Sequence, residues 1–131
     1  MIGLDTNVLV RYFAQDDAAQ SAKASALIEA LTPENAGYIS QIVLVELVWV
    51  MQSLYQADRS MISKILQTIL SVASLRVDNS QVVQKALRLY AETSTDFADC
   101  LIAKLAQSAS CNQIFTFDVK AAKQCDMDLL S

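Results

Sequence analysis

Carboxylates carry most of the chemistry this chain can offer, and five of them stand in informative places. Asp5 closes the short apolar run Ile2-Gly3-Leu4, and Asp118 closes Ile114-Phe115-Thr116-Phe117. Asp96 and Asp99 open the segment DFADCLIAKLA, and Glu46 interrupts the apolar stretch VLVELVWVM. The chain has no histidine. That excludes Ser-His-Asp and Cys-His catalysis, His-ligated zinc and an H-E-x-x-H metalloprotease site. Its two glycines, Gly3 and Gly37, exclude a Walker A loop and a dinucleotide fingerprint.

Each acid also has an ordinary structural reading. Aspartate is a favoured N-cap, and a negative charge in the first helical turn gains about 0.3–1 kcal/mol from the helix dipole. Taken singly, Asp5, Asp96 and Asp118 therefore read first as caps, and Asp99 as a common first-turn acid. Glu46 is different, because it falls in mid-helix, where capping does not apply. The nearest cations in sequence, Arg59 and Lys64, lie more than two turns away, so no i,i+4 pair accounts for it. An ionised carboxylate in such surroundings is costly unless paired or metal-bound. A metal-facing role leads for Glu46, with a tertiary salt bridge or a solvent-facing edge as the alternative. Asp96 and Asp99, three apart, share one helix face, while Phe97, Ala98, Leu101, Ile102 and Leu105 are expected to turn toward the core. Oxygen-only ligands suit Mg²⁺ or Mn²⁺. Phosphodiester hydrolysis is the reaction such a site carries most naturally, since the metal polarises phosphoryl oxygen and activates water.

The elements that must position these acids follow from the apolar pattern. Met1–Leu4 reads as a buried strand running into a helix from Thr6 to Phe13, with a second helix over 16–31 that stops near Thr32-Pro33. Residues 37–40 form a strand candidate. Residues 41–56 have few polar positions and no breaker, which favours a buried helix. Helices follow over 58–72 and 79–92, with a strand at 75–77 between them. A further helix opens at Thr95 or Asp96 and reaches about Ser108. A strand over 113–117, a helical turn over 119–123 and a last strand over 127–130 complete the chain. Short apolar strands alternating with helices predict an α/β fold with a central parallel sheet of about five strands flanked by helices. In such a sheet the strand ends and the following helix starts share one rim, where ligands usually bind.

A length of 131 residues predicts one domain, spanning residues 1–131. Three cysteines, Cys100, Cys111 and Cys125, form no C-x-x-C pair and predict no disulfide framework; they fit a reducing cytoplasm and read as small buried hydrophobes. The start MIGLDTNVLV lacks a basic n-region and a cleavage pattern, so no signal peptide is expected, and no apolar run is long enough to span a membrane. A net charge of -4 and a pI of about 4.6 argue against a high-affinity non-specific nucleic-acid binder, but not against an enzyme that meets nucleic acid at a metal-filled acidic site.

The opening IGLDTNVLVRYF resembles the first motif of PIN-domain ribonucleases, above all the VapC-type toxins of bacterial toxin–antitoxin pairs. The S-x-x-x-x-x-E-L element at Ser40–Leu47, the helix start D-F-A-D-C-L-I-A and the late I-F-T-F-D follow in order, so the resemblance covers essentially the whole chain. It implies that Asp5, Glu46, Asp99 and Asp118 are an acidic quartet that binds Mg²⁺ or Mn²⁺, with Asp96 as an additional acid one turn earlier. Asn7 and Thr116 match polar positions that support the acids; plain helix-start and strand-end roles serve equally well. The resemblance further implies an endoribonuclease acting on single-stranded or looped RNA, often tRNA, a cognate antitoxin whose C-terminal segment enters the acidic groove, and a homodimer. Arg11 is the best candidate for contact with phosphate or with an antitoxin carboxylate. Lys104, Lys120 and Lys123 are further candidates, for which a solvated surface role is favoured. Tyr12, Phe13, Trp49 and Tyr55 suggest a groove for an antitoxin helix, with core packing favoured for most of them. Two other classes stand beside this reading. A different carboxylate phosphohydrolase of the haloacid-dehalogenase type needs a second Asp where Asn7 stands. A catalytically silent PIN-like binding module would usually have lost acids that this chain keeps.

Overall fold

The computed structural model describes residues 1–130. The chain forms two compact units, the first Met1–Asp78 and the second from Asn79 onward. The first unit runs β1 (Ile2–Gly3), α1 (Thr6–Ala14), α2 (Ala18–Glu29), β2 (Gly37–Ile39), α3 (Gln41–Tyr55), α4 (Arg59–Ser71) and β3 (Leu75–Val77). Its strands pair in the order β1-β2-β3, all parallel, with Ile2 opposite Gly37 and Gly37 opposite Leu75. Parallel neighbours need a long crossover, and here each is a pair of helices. Leu4, Leu9, Ile39, Leu44, Leu47, Ile62, Leu66 and Ile69 fill the core between them.

Side chains at the helix starts fix where the chain turns. Ser40 accepts from the Val43 N–H, Asp17 from Gln20 and Asp58 from Met61, each supplying a donor-rich helix start with an acceptor. Gly37 sits at a close approach of leucine side chains. A Cβ there would lie 2.7 Å from Leu4 Cδ1 and 2.9 Å from Leu31 Cδ1.

The second unit begins with α5 (Ser80–Glu92) packed on α6 (Phe97–Ser108), followed by β4 (Phe115–Thr116), α7 (Val119–Gln124) and β5 (Asp128–Leu129). Tyr90 and Phe97 meet edge to face across the helix pair, and Val83, Ala86, Cys100 and Ala103 complete the contact. β4 and β5 pair in parallel around α7, with Phe115 opposite Asp128.

The expected α/β alternation is therefore present; among the described residues there are five short strands, three in the first unit and two in the second, and all their pairings are parallel. Three local expectations need correction. Helix α3 is not buried on all sides: Ile42 is 73% exposed and Trp49 64%, because only Val43, Leu44, Leu47, Val48 and Met51 face the core. Ile102 on α6 is likewise exposed rather than packed. Of the cysteines, Cys100 and Cys125 are buried as expected, whereas Cys111 is exposed just past the α6 C-terminus.

Candidate functional site

In the first unit, Asp5 stands between β1 and α1 as the N-cap of α1, its carboxylate accepting from the Thr6 N–H at 2.8 Å. The Thr6 hydroxyl donates to Glu46 Oε1 at 2.9 Å. Thr6 is buried, so this one residue ties the acid at the end of the first strand to the acid on α3. Glu46 lies on the exposed side of α3, in line with Ile42 and Trp49 at helical spacing. The solvent-facing edge, rather than an apolar interior, is its setting. Asn7 is exposed in the first turn of α1.

In the second unit, Asp96 occupies the N-cap position of α6 yet makes no capping bond with its side chain. Side-chain capping thus does not account for it, which leaves the helix dipole as the ordinary explanation. Asp118 does cap its helix, accepting from the Ala121 N–H at 3.0 Å, while its own N–H donates to Thr116 Oγ1 at 3.0 Å. Thr116 accordingly fixes the bend between β4 and α7 on which Asp118 sits. Asp99 is partly buried on the first turn of α6. Burial raises its pKa above the ordinary 3.8, and the negative charges of Asp96 and Asp118 raise it further. Asp99 is thus a carboxylate under two like charges with no cation of the chain among the causes, a condition that a bound cation would relieve. All donors are hard carboxylate or hydroxyl oxygens, the chemistry that fits Mg²⁺ or Mn²⁺. Among the described residues no three His, Cys, Asp or Glu side chains already converge as a metal cage.

The basic candidates have more local duties. Arg11 is held by its own unit: Nε donates to Gln20 Oε1 at 2.7 Å, and Nη1 pairs with Asp16 at 3.0 Å and reaches the Tyr55 hydroxyl at 3.2 Å. The Tyr55 hydroxyl donates to Asp16 Oδ2 at 2.6 Å, and this bond is the main reason the Asp16 pKa is lowered. Lys104 donates to Gln107 on its own helix, and Lys123 lies in the last turn of α7, where a cation offsets the helix dipole. Lys120 is exposed. Of the aromatic set, Tyr12 and Phe13 meet edge to face. Phe13 and Tyr55 line a cavity of about 380 Å³ with Met51 and Met61, and Trp49 is exposed.

Sequence reasoning passed over Thr6. Its hydroxyl partner is forty positions away, and only its place directly after Asp5 in D-T-N marked it. Residues 2–126 match the PIN domain family. The VapC ribonuclease of Aquifex aeolicus (strain VF5) is 23% identical over 114 residues, covering 87% of this chain and 84% of that protein.

Proposed function

Because the chain belongs to the PIN-domain family, we propose that it is a metal-dependent endoribonuclease that hydrolyses RNA phosphodiester bonds. Asp5, Glu46, Asp99 and Asp118 are the proposed ligands of Mg²⁺ or Mn²⁺, with Asp96 as an additional acid. The observation that carries this reading is the set of carboxylates in the second unit. Asp99 is partly buried and feels the negative charges of Asp96 and Asp118, with no lysine or arginine among the groups that act on it. A protein that needed Asp99 only for folding would gain from losing its charge.

A bound divalent ion supplies an activated water and offsets the charge that builds on the phosphate. The chain's own residues prepare for it. Thr6 orients Glu46 and, through its N–H, Asp5. Thr116 and the first turn of α7 fix Asp118. The missing histidine fits, because the mechanism needs no imidazole base. The match to a VapC ribonuclease supports a role as the toxin of a type II toxin–antitoxin pair, acting in the cytoplasm on RNA such as tRNA, as a homodimer restrained by a cognate antitoxin.

Cleavage of tRNA with and without chelator tests the activity. Asp5→Asn is expected to abolish metal-dependent cleavage and leave the circular dichroism spectrum and melting point near those of the parent, since Asn caps a helix as well as Asp does. Full residual cleavage in Asp5→Asn, or cleavage indifferent to chelator, would sink the assignment.

A further inference from the structure

The first unit carries a second concave surface, separate from the proposed metal ligands. A groove of about 290 Å³ runs between α1 and α2, to which α1 contributes Asn7, Val8 and Arg11, and α2 contributes Gln20, Lys23 and Leu27. The spacing explains the convergence: positions 7 and 11, and positions 20, 23 and 27, each fall on one helix face. Its volume is at the small end of ligand sites.

The lining has two parts. Val8 and Leu27 offer partly exposed aliphatic surface. Arg11 and Lys23 offer positive charge, and the two differ in how they are held. The Arg11 guanidinium is braced by Gln20, Asp16 and Tyr55, so its position is set in advance, but Asp16 offsets much of its charge. Among the described residues the Lys23 ammonium forms no ion pair, which leaves it the groove's uncompensated cation. An aliphatic surface beside one braced guanidinium, one free ammonium and two side-chain amides suits a sugar-phosphate unit. Arg, Lys, Asn and Gln are the side chains that usually contact nucleic-acid backbone. Asp5 caps α1, and Arg11 follows it by about 9 Å along the axis at 1.5 Å per residue. A strand with one phosphate at Asp5 would carry its neighbouring backbone past Asn7 toward this groove.

We propose that the α1–α2 groove seats one nucleotide of the RNA strand next to the phosphate that is cleaved, with its phosphate on Lys23 and Arg11 and its sugar against Val8 and Leu27. The proposal rests on the ribonuclease reading above and names where the substrate lies.

The test is fluorescence anisotropy with labelled oligouridine, in chelator so that no cleavage occurs, across a series of KCl concentrations. Lys23→Ala is expected to weaken binding several-fold and to flatten the slope of log affinity against log salt by about 0.7, the value for one phosphate contact on a single strand. Lys23→Arg is expected to restore both, and because Lys23 is exposed neither change should move the melting point. Unchanged affinity and slope in Lys23→Ala, with the parent binding RNA, would overturn the groove assignment alone. A parent that binds no oligouridine and cleaves no RNA would overturn the ribonuclease reading and the groove with it. Oligoglutamate that competes as well as unlabelled oligouridine, and loses that ability in Lys23→Ala, would assign the groove to an acidic protein segment instead.

Discussion

Thr6 sits between two acids, its N–H on Asp5 and its hydroxyl on Glu46, and it is 6% exposed. A buried hydroxyl that donates to a carboxylate fixes the rotamer of that carboxylate and leaves its other lone pairs for a cation. Outer partners of this kind typically affect metal affinity by about 10–100-fold. Thr6→Val keeps the shape and removes the donor, so Mn²⁺ affinity measured by calorimetry should fall by about that factor. Thr6→Ser should retain most of it. A Thr6→Val protein that binds Mn²⁺ like the parent would confine Thr6 to packing. The acids themselves were legible by residue type and position, because an Asp after a short apolar run and a lone Glu in an apolar helix stand out without any coordinates. Which of them act as caps was not legible. Asp96 and Asp118 look alike in sequence, yet one makes no capping bond and the other binds the Ala121 N–H. That difference lies in which hydrogen bond the folded side chain makes, which local sequence does not encode.

The helices were readable to within a residue or two because their starts carry Asp, Ser or Asn and their lengths follow the apolar repeat. The strands are only two or three residues long, so pairing rather than propensity sets their limits: 113–117 contracts to Phe115–Thr116. Helix α3 shows what periodicity misses. Apolar residues occupy nearly every position from 42 to 51, so the pattern gives no face, and packing on α1 decides which side is covered. At β2, Gly37 lets Leu4, Leu31 and Leu75 close over the strand. Gly37→Ala should destabilise the protein by about 1–3 kcal/mol through overpacking. The measurement is a lower urea midpoint at unchanged slope. A midpoint at or above the parent's would mean that the leucine ends move aside at no cost.

Across the whole chain the acids outnumber the bases, fourteen to ten, and part of that excess is self-repulsion that folding must tolerate. Asp99 makes the sign explicit. Its pKa is higher in the folded chain than the ordinary 3.8, so the folded state binds its proton more tightly. That contribution is complete below the ordinary value and is lost as pH rises through the raised one. Near neutral pH in chelator, Asp99→Asn should therefore melt above the parent, with the gap narrowing as the pH falls toward 3.8. Mn²⁺ at a hundred times its dissociation constant should stabilise the parent by about 2.7 kcal/mol. Asp99→Asn should gain much less. A parent melting point indifferent to Mn²⁺ would remove the metal from the account.

Asp5 and Asp118 each serve a helix start, and asparagine can take over that service. In the genetic code, aspartate and asparagine differ by a single base. Exchange of either residue for asparagine should therefore keep the helix start capped and the fold in place while removing one negative charge. One base change is enough to separate the charge of these residues from their service to the helix.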